Sequence, residues 1–150
     1  MKHSHYHHLG IMAALSFAAM YALMYSMVDT FGNVYSSLNQ VHMAGLMTAP
    51  MVVIELAVMG AMYEDKRLNR LIISGSVAAL LGLFACLRMQ AGISDRQFLR
   101  SMIPHHAGAI LMCRRAPLKD AEVRKLCESI LVSQQAEIDL MRAKLDALHH

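Results

Sequence analysis

Twenty consecutive residues from Leu9 to Val28, LGIMAALSFAAMYALMYSMV, carry no charged side chain. That is the length a helix needs to cross roughly 30 Å of hydrocarbon. A cleaved leader has a shorter apolar core, roughly 7 to 15 residues, followed by a small-residue cleavage site, so this run reads as a retained span. Residues 41–63 give a second span, interrupted by His42 near its start and Glu55 in its interior, and residues 71–87 a third, short but unbroken. The connectors, 29–40 and 64–70, are brief, which makes the three spans an antiparallel set. Composition agrees: 56% hydrophobic and 17% charged residues, with a mean hydropathy of +0.37, describe a membrane protein. The same numbers exclude a disordered chain. A net charge of +3, with 14 basic residues forming no long stripe, argues against nucleic acid as a partner.

Basic residues in the flanks orient the spans. The first connector has no Lys or Arg, whereas the second has Lys66, Arg67 and Arg70 and the N-terminal segment has Lys2. The N-terminus and second connector are therefore expected in the cytoplasm, and the tail on the far side, which in a bacterium is the periplasm and makes the anchor an inner-membrane one. Arg88, Arg96 and Arg100 weaken this asymmetry. The chain thus divides into a transmembrane domain, 1–88, and a periplasmic helical domain, 89–150.

The expected fold class is all-α: three transmembrane helices followed by a helical hairpin. Ser94 and Gln97 have capping-box spacing, and a helix from there reaches about Arg115, with Pro104 expected to kink it. Ala116-Pro117 ends it. Asp120 caps a second helix whose apolar positions Val123, Leu126, Cys127, Ile130, Ile138, Met141, Leu145 and Leu148 recur at helical spacing. Two such helices cannot close a core alone. Pairing of two tails into a four-helix bundle, or docking on another part of the protein, would complete it.

Fourteen Met and nine His in 150 residues are the compositional anomaly, because thioether and imidazole are soft or borderline metal ligands. On the first tail helix Met102, His105, His106, Met112 and Cys113 share an arc of about 120 degrees. On the second, Gln134, Glu137 and Met141 sit in the apolar stripe, where an unpartnered amide or carboxylate costs on the order of 1 to 3 kcal/mol. A hairpin folded about Pro117 sets Met102 level with Gln134 and the histidines level with Ile130. Glu137 then lies about a turn farther and Met141 farther still. Gln134 and Glu137 are accordingly expected as neighbours of the histidines before Met141. The competing explanation is that the histidines hydrogen-bond in a core while Met fills gaps.

The stretches FLRSMIPHHAGAILMCRRA and VRKLCESILVSQQAEIDLM carry a Met-x-Pro-His-His run, Met102 to His106, and a Gln-x-x-Glu-Ile-x-x-Met run, Gln134 to Met141. Over about residues 94–148 the chain resembles a bacterial family known as domain of unknown function 305. The resemblance implies a ferritin-like helical module associated with copper outside the cytoplasm, sometimes preceded by several spans, and no enzymatic reaction. Ligand chemistry independently favours copper, as Cu(I), over the oxygen-loving magnesium and calcium. A ferritin-type di-iron site fits poorly, since no Glu-x-x-His pair occurs.

Elsewhere, Met43, Met47, Met51, Glu55, Met59 and Met62 form one face of the second span beside His42, and Met20, Met24 and Met27 a similar face on the first. Such a face can be read as a Cu(I) path or as ordinary filler with Glu55 protonated or bonded to a tyrosine such as Tyr21 or Tyr25. The N-terminal Met1-Lys2-His3 could wrap Cu(II) or Ni(II), but its expected cytoplasmic side favours a polar headgroup segment. His149 and His150 are native or the remains of a tag. Cys113 and Cys127 are mismatched by near 7 Å about Pro117, so no disulfide between them is expected, and each reads as an accessory thiolate or as a small buried hydrophobe.

The functional expectation is a membrane-anchored copper-binding protein for periplasmic sequestration or hand-off. Its expected partners are the lipid bilayer, a second copy and a copper-accepting protein. Metal ligands would come from Met102, His105, His106, Met112, Gln134, Glu137 and Met141. The alternatives are a Cu(I) relay along the Met and Glu55 face and a metal-free structural oligomer. No Ser/His/Asp set, nucleotide loop or His-Glu-x-x-His motif points to an enzyme.

Overall fold

The computed structural model describes the backbone of residues 2–148 and the side chains of residues 5–148. His149 and His150, and the side chains of the first four residues, including His3, lie outside the described residues. Among the described residues the regular elements are all helical. Five α-helices follow one another, α1 Lys2–Leu23, α2 Leu38–Val58, α3 Lys66–Met89, α4 Asp95–Arg115 and α5 Ala121–Ala147. Two short 3₁₀ turns, Met24–Met27 and Phe31–Asn33, lie between α1 and α2. Three segments, His5–Met27, Leu38–Val58 and Lys66–Met89, are long and apolar enough to cross a membrane.

The expected spans shift at their ends for local reasons. The histidine-rich start joins α1, because nothing in Lys2 to His8 breaks a helix. The second span stops at Val58, five residues short of the expected Tyr63, and turns through Gly60. The third begins at Lys66 because Asp65 caps it, accepting from the amides of Arg67 at 2.9 Å and Leu68 at 3.0 Å. It ends where Gln90 adopts the left-handed conformation, with φ 51°.

The chain forms two compact units. The first comprises Met1–Met24 and Asn39–Gly92. Small residues of α2 are buried in it, namely Ala44, Thr48 and Ala49, and Thr48 returns its hydroxyl to the Ala44 carbonyl at 2.8 Å. At Gly45 of α2 a Cβ would meet Leu83 Cδ1 at 2.8 Å, so a larger residue there would require the leucine side chain to turn aside. At one end Leu9, Leu56 and Tyr63 form a buried cluster with Tyr6, Met12, Val52, Ile72 and Ile73 beside it. Asn69 ties that end together, donating to the Tyr63 carbonyl at 2.9 Å and accepting from the Tyr6 hydroxyl at 2.7 Å.

The second unit comprises Tyr25–Leu38 and Ile93–His150. Helices α4 and α5 form the hairpin, with Ile103, Ile110 and Ile138 completely buried between them. Each such side chain contributes about 1.5 to 3 kcal/mol. Ala107, Met141 and Leu145 complete the core, and Val28 and Tyr35 of the first connector pack against it. The hairpin therefore finds its additional packing partner within its own chain. Gly108 is buried where the connector backbone passes, with the Met27 carbonyl 3.4 Å from where a Cβ would stand.

Polar contacts secure this connector. Asp29 Oδ1 accepts from the Thr30 amide at 2.8 Å and Asn33 Nδ2 at 2.7 Å, and its Oδ2 lies 3.6 Å from Arg114. Arg142 Nη2 donates to Asn33 Oδ1 at 2.7 Å and the Gly32 carbonyl at 3.0 Å. Arg100 donates to Ser36 Oγ at 2.9 Å. Ser94 caps α4 as expected, accepting from the Gln97 amide. The Gln97 side chain accepts instead from the Leu38 amide at 2.8 Å. Pro104 is buried within α4, which continues through it to Arg115.

Candidate functional site

The expected metal-binding face of α4 divides at the hairpin surface. His106 is turned inward and 9% exposed, whereas His105 is exposed beside it, their ring centroids 6.0 Å apart. Met102 is half-buried against the core, and Met112 lies 52% exposed toward the loop end. On α5, Gln134 is half-buried, Glu137 exposed and Met141 buried in the core. The thioether of Met141 is thus accounted for by packing with the isoleucines.

The structure brings His106 and Glu137 together. Glu137 Oε2 lies 3.1 Å from His106 Nδ1, close enough for an ion pair when the ring is protonated. Nδ1 itself is buried and makes no hydrogen bond, so the carboxylate sits near the nitrogen but outside hydrogen-bonding geometry. Burial lowers the His106 pKa from the ordinary imidazole value; Glu137 opposes this and His105 reinforces it. The result is an imidazole biased toward neutrality, with a lone pair available to a cation. Among the described residues no three His, Cys, Asp or Glu side chains are gathered closely enough to hold an ion.

Glu137 is a neighbour of His106, as expected, but closer in register than a hairpin folded about Pro117 gives, and the same shift explains the cysteines. Cys113 and Cys127 form a disulfide, with their Cα atoms 5.3 Å apart, contrary to the expectation that no such bond forms. The two cysteines stand seven residues on either side of Asp120, so the hairpin pivots there rather than at Pro117. Ala116 and Asp120 both have extended backbones, with ψ near 132°. The chain therefore runs past the end of α4 before α5 begins, carrying later residues of α5 back to each level of α4.

In the first unit, Glu55 accepts a hydrogen bond from Tyr63 at 3.3 Å, rather than from Tyr21 or Tyr25. Met43, Met47, Met51 and Glu55 share the helical face, but Met59 and Met62 fall in the turn beyond α2, so the expected six-residue stripe is shorter. Sequence reasoning also missed Asp29, Asn33 and Arg142. No local pattern announces contacts that close over 109 residues.

The family model described as Domain of unknown function (DUF305) matches residues 55–145, more than half of the chain. The chain belongs to the DUF305 family. The match takes in the histidine pair, Glu137 and both cysteines, and extends upstream into α2. Among relatives, the uncharacterized protein L153 of Acanthamoeba polyphaga mimivirus is 31% identical over 139 residues, covering 91% of this chain and 90% of that protein. No solved structure matches the chain.

Proposed function

We propose that this DUF305 protein is a membrane-anchored copper-binding protein whose hairpin holds copper as cargo and passes it on. The observation carrying this reading is His106, a buried imidazole biased toward neutrality whose Nδ1 lacks a hydrogen bond yet stands 3.1 Å from a carboxylate. A buried polar atom left without a partner costs on the order of 1 to 3 kcal/mol, a cost that ligation would remove. The donor set fits copper: imidazoles from His106 and His105, a carboxylate from Glu137 and a nearby thioether on Met102.

The incompleteness of the site suits hand-off. With only part of a coordination shell in one chain, the remaining positions fall to a second copy or a receiving protein. Three helices long and apolar enough to cross a membrane support this reading: an odd number of crossings would leave the first connector and the tail on the same side, in keeping with their belonging to one unit. The charge asymmetry of the flanks and the disulfide both favour that side being extracytoplasmic, the periplasm in a bacterial host, because disulfides persist in oxidising compartments.

The test is metal analysis of full-length protein purified without nickel affinity, beside a His105→Ala/His106→Ala variant of equal helix content. Wild type should retain copper after desalting and the variant should lose it. Equal copper in the two proteins would overturn the reading.

A further inference from the structure

We propose that Cys113 and Cys127, once reduced by a dithiol, form a second copper site at the loop end of the hairpin, selective for Cu(I). This rests on the reading of the hairpin as a copper-binding module but uses residues separate from the histidine site. Cys113 lies seven residues beyond His106 on α4, about 10 Å along the axis.

Three observations carry the proposal. Both cysteines are half-buried, reachable by a reductant yet sheltered, and sit where α4 and α5 hold their Cα atoms 5.3 Å apart. The hairpin has contacts besides the bond to hold it together. Its core of Ile103, Ile110 and Ile138 lies on the other side of the cysteines from the loop, and Asp120 caps α5 independently. Reduction therefore leaves two thiols facing one another on a standing scaffold. Finally, the surrounding sequence is net basic, Arg114, Arg115, Lys119, Arg124 and Lys125 outnumbering Asp120, Glu122 and Glu128, which suits the negative charge of a copper held by two thiolates.

The chemistry closes without other reactants. The dithiol gives two electrons and two protons; its own sulfur–sulfur bond forms as that of Cys113–Cys127 breaks. Cu(I) then displaces the two thiol protons and is held between two thiolates, the softest donors available on the hairpin. The oxidised hairpin offers copper the histidine site alone. The reduced hairpin offers both, so its capacity for Cu(I) reports the redox state of the compartment.

The experiment uses full-length protein in detergent with Cys86→Ser, which removes the one free cysteine among the described residues. Oxidised protein and protein reduced with dithiothreitol, each desalted under nitrogen, are titrated with Cu(I) against a chromophoric Cu(I) chelator. Reduced protein should take up one more Cu(I) per chain than oxidised protein. The increment should survive His105→Ala/His106→Ala and vanish in Cys113→Ser/Cys127→Ser. It should vanish equally when the reduced protein is alkylated before titration, which needs no substitution at either cysteine. No increment on reduction, or one that persists after alkylation, overturns the proposal. Copper uptake by the oxidised protein that His105→Ala/His106→Ala leaves unchanged would instead sink the proposed function and leave this site standing.

Discussion

Arg142 Nη2 lies 2.7 Å from Asn33 Oδ1, a bond that joins the last helix to the connector after α1 across 109 residues of sequence. Asn33 is 3% exposed, and it also donates to Asp29 at 2.7 Å. The pair thus links two charged residues through one buried amide. Truncating Asn33→Ala leaves Arg142 with only the Gly32 carbonyl and takes one donor from Asp29, which keeps the Thr30 amide and Arg114, and should destabilise the hairpin unit by about 1 to 3 kcal/mol. Hydrogen exchange should show faster opening of residues 25–38 in Asn33→Ala and in Arg142→Ala. The double variant should lose less than the two single losses combined, because both remove one network. Additive losses would mean the contact contributes nothing.

The burial of His106 sets the sign of a pH dependence. Its folded pKa lies below the ordinary 6.5, so between those values the unfolded chain binds the extra proton. Stability from this residue is full above about pH 6.5 and falls as pH drops toward the folded value. Denaturation of copper-free protein should be easier at pH 5 than at pH 7.5, and His106→Gln should flatten that difference. Glu137→Gln removes the influence that raises the pKa, so the His106 ring should titrate lower still by NMR. A ring titrating above 6.5 in the wild type would contradict this account.

What could be read from sequence was what repeats locally. Long apolar runs announced α1, α2 and α3, and Ser94 and Asp120 announced the starts of α4 and α5, because capping and periodicity act within a few residues. The histidine pair and Glu137 were legible as unusual residues on apolar faces. Their pairing was less so, since register depends on the path of residues 116–120, and an extended loop leaves no periodic trace. The disulfide was misjudged for the same reason. The docking of Val28 and Tyr35 on the hairpin depended on tertiary packing that no local spacing encodes.

Glu55 and Tyr63 separate the cargo reading from a membrane relay. The hydrogen bond from Tyr63 gives Glu55 a structural partner at the end of α2, where Leu56 and Tyr63 are buried. If holding Tyr63 is its main role, Glu55→Gln, which keeps a carbonyl acceptor, should leave the melting temperature in detergent nearly unchanged, whereas Glu55→Ala should lower it. Neither should alter Cu(I) entry into sealed proteoliposomes beyond the protein-free background. A Glu55-dependent flux above that background would favour the relay.

The Cys113–Cys127 bond makes the last prediction one of stability. It closes a loop with a sequence separation of 14 residues, and constraining an unfolded loop of that size is worth on the order of 3 kcal/mol in the chain-entropy description. Reduction should therefore lower the denaturant midpoint of the hairpin unit while leaving its helix content at mild conditions intact, because the buried isoleucines and the connector still hold α4 against α5. Circular dichroism before and after reduction, with Cys113→Ser/Cys127→Ser alongside, measures both quantities. Collapse of the helical signal on reduction would show that the bond, rather than the apolar core, keeps the two helices together.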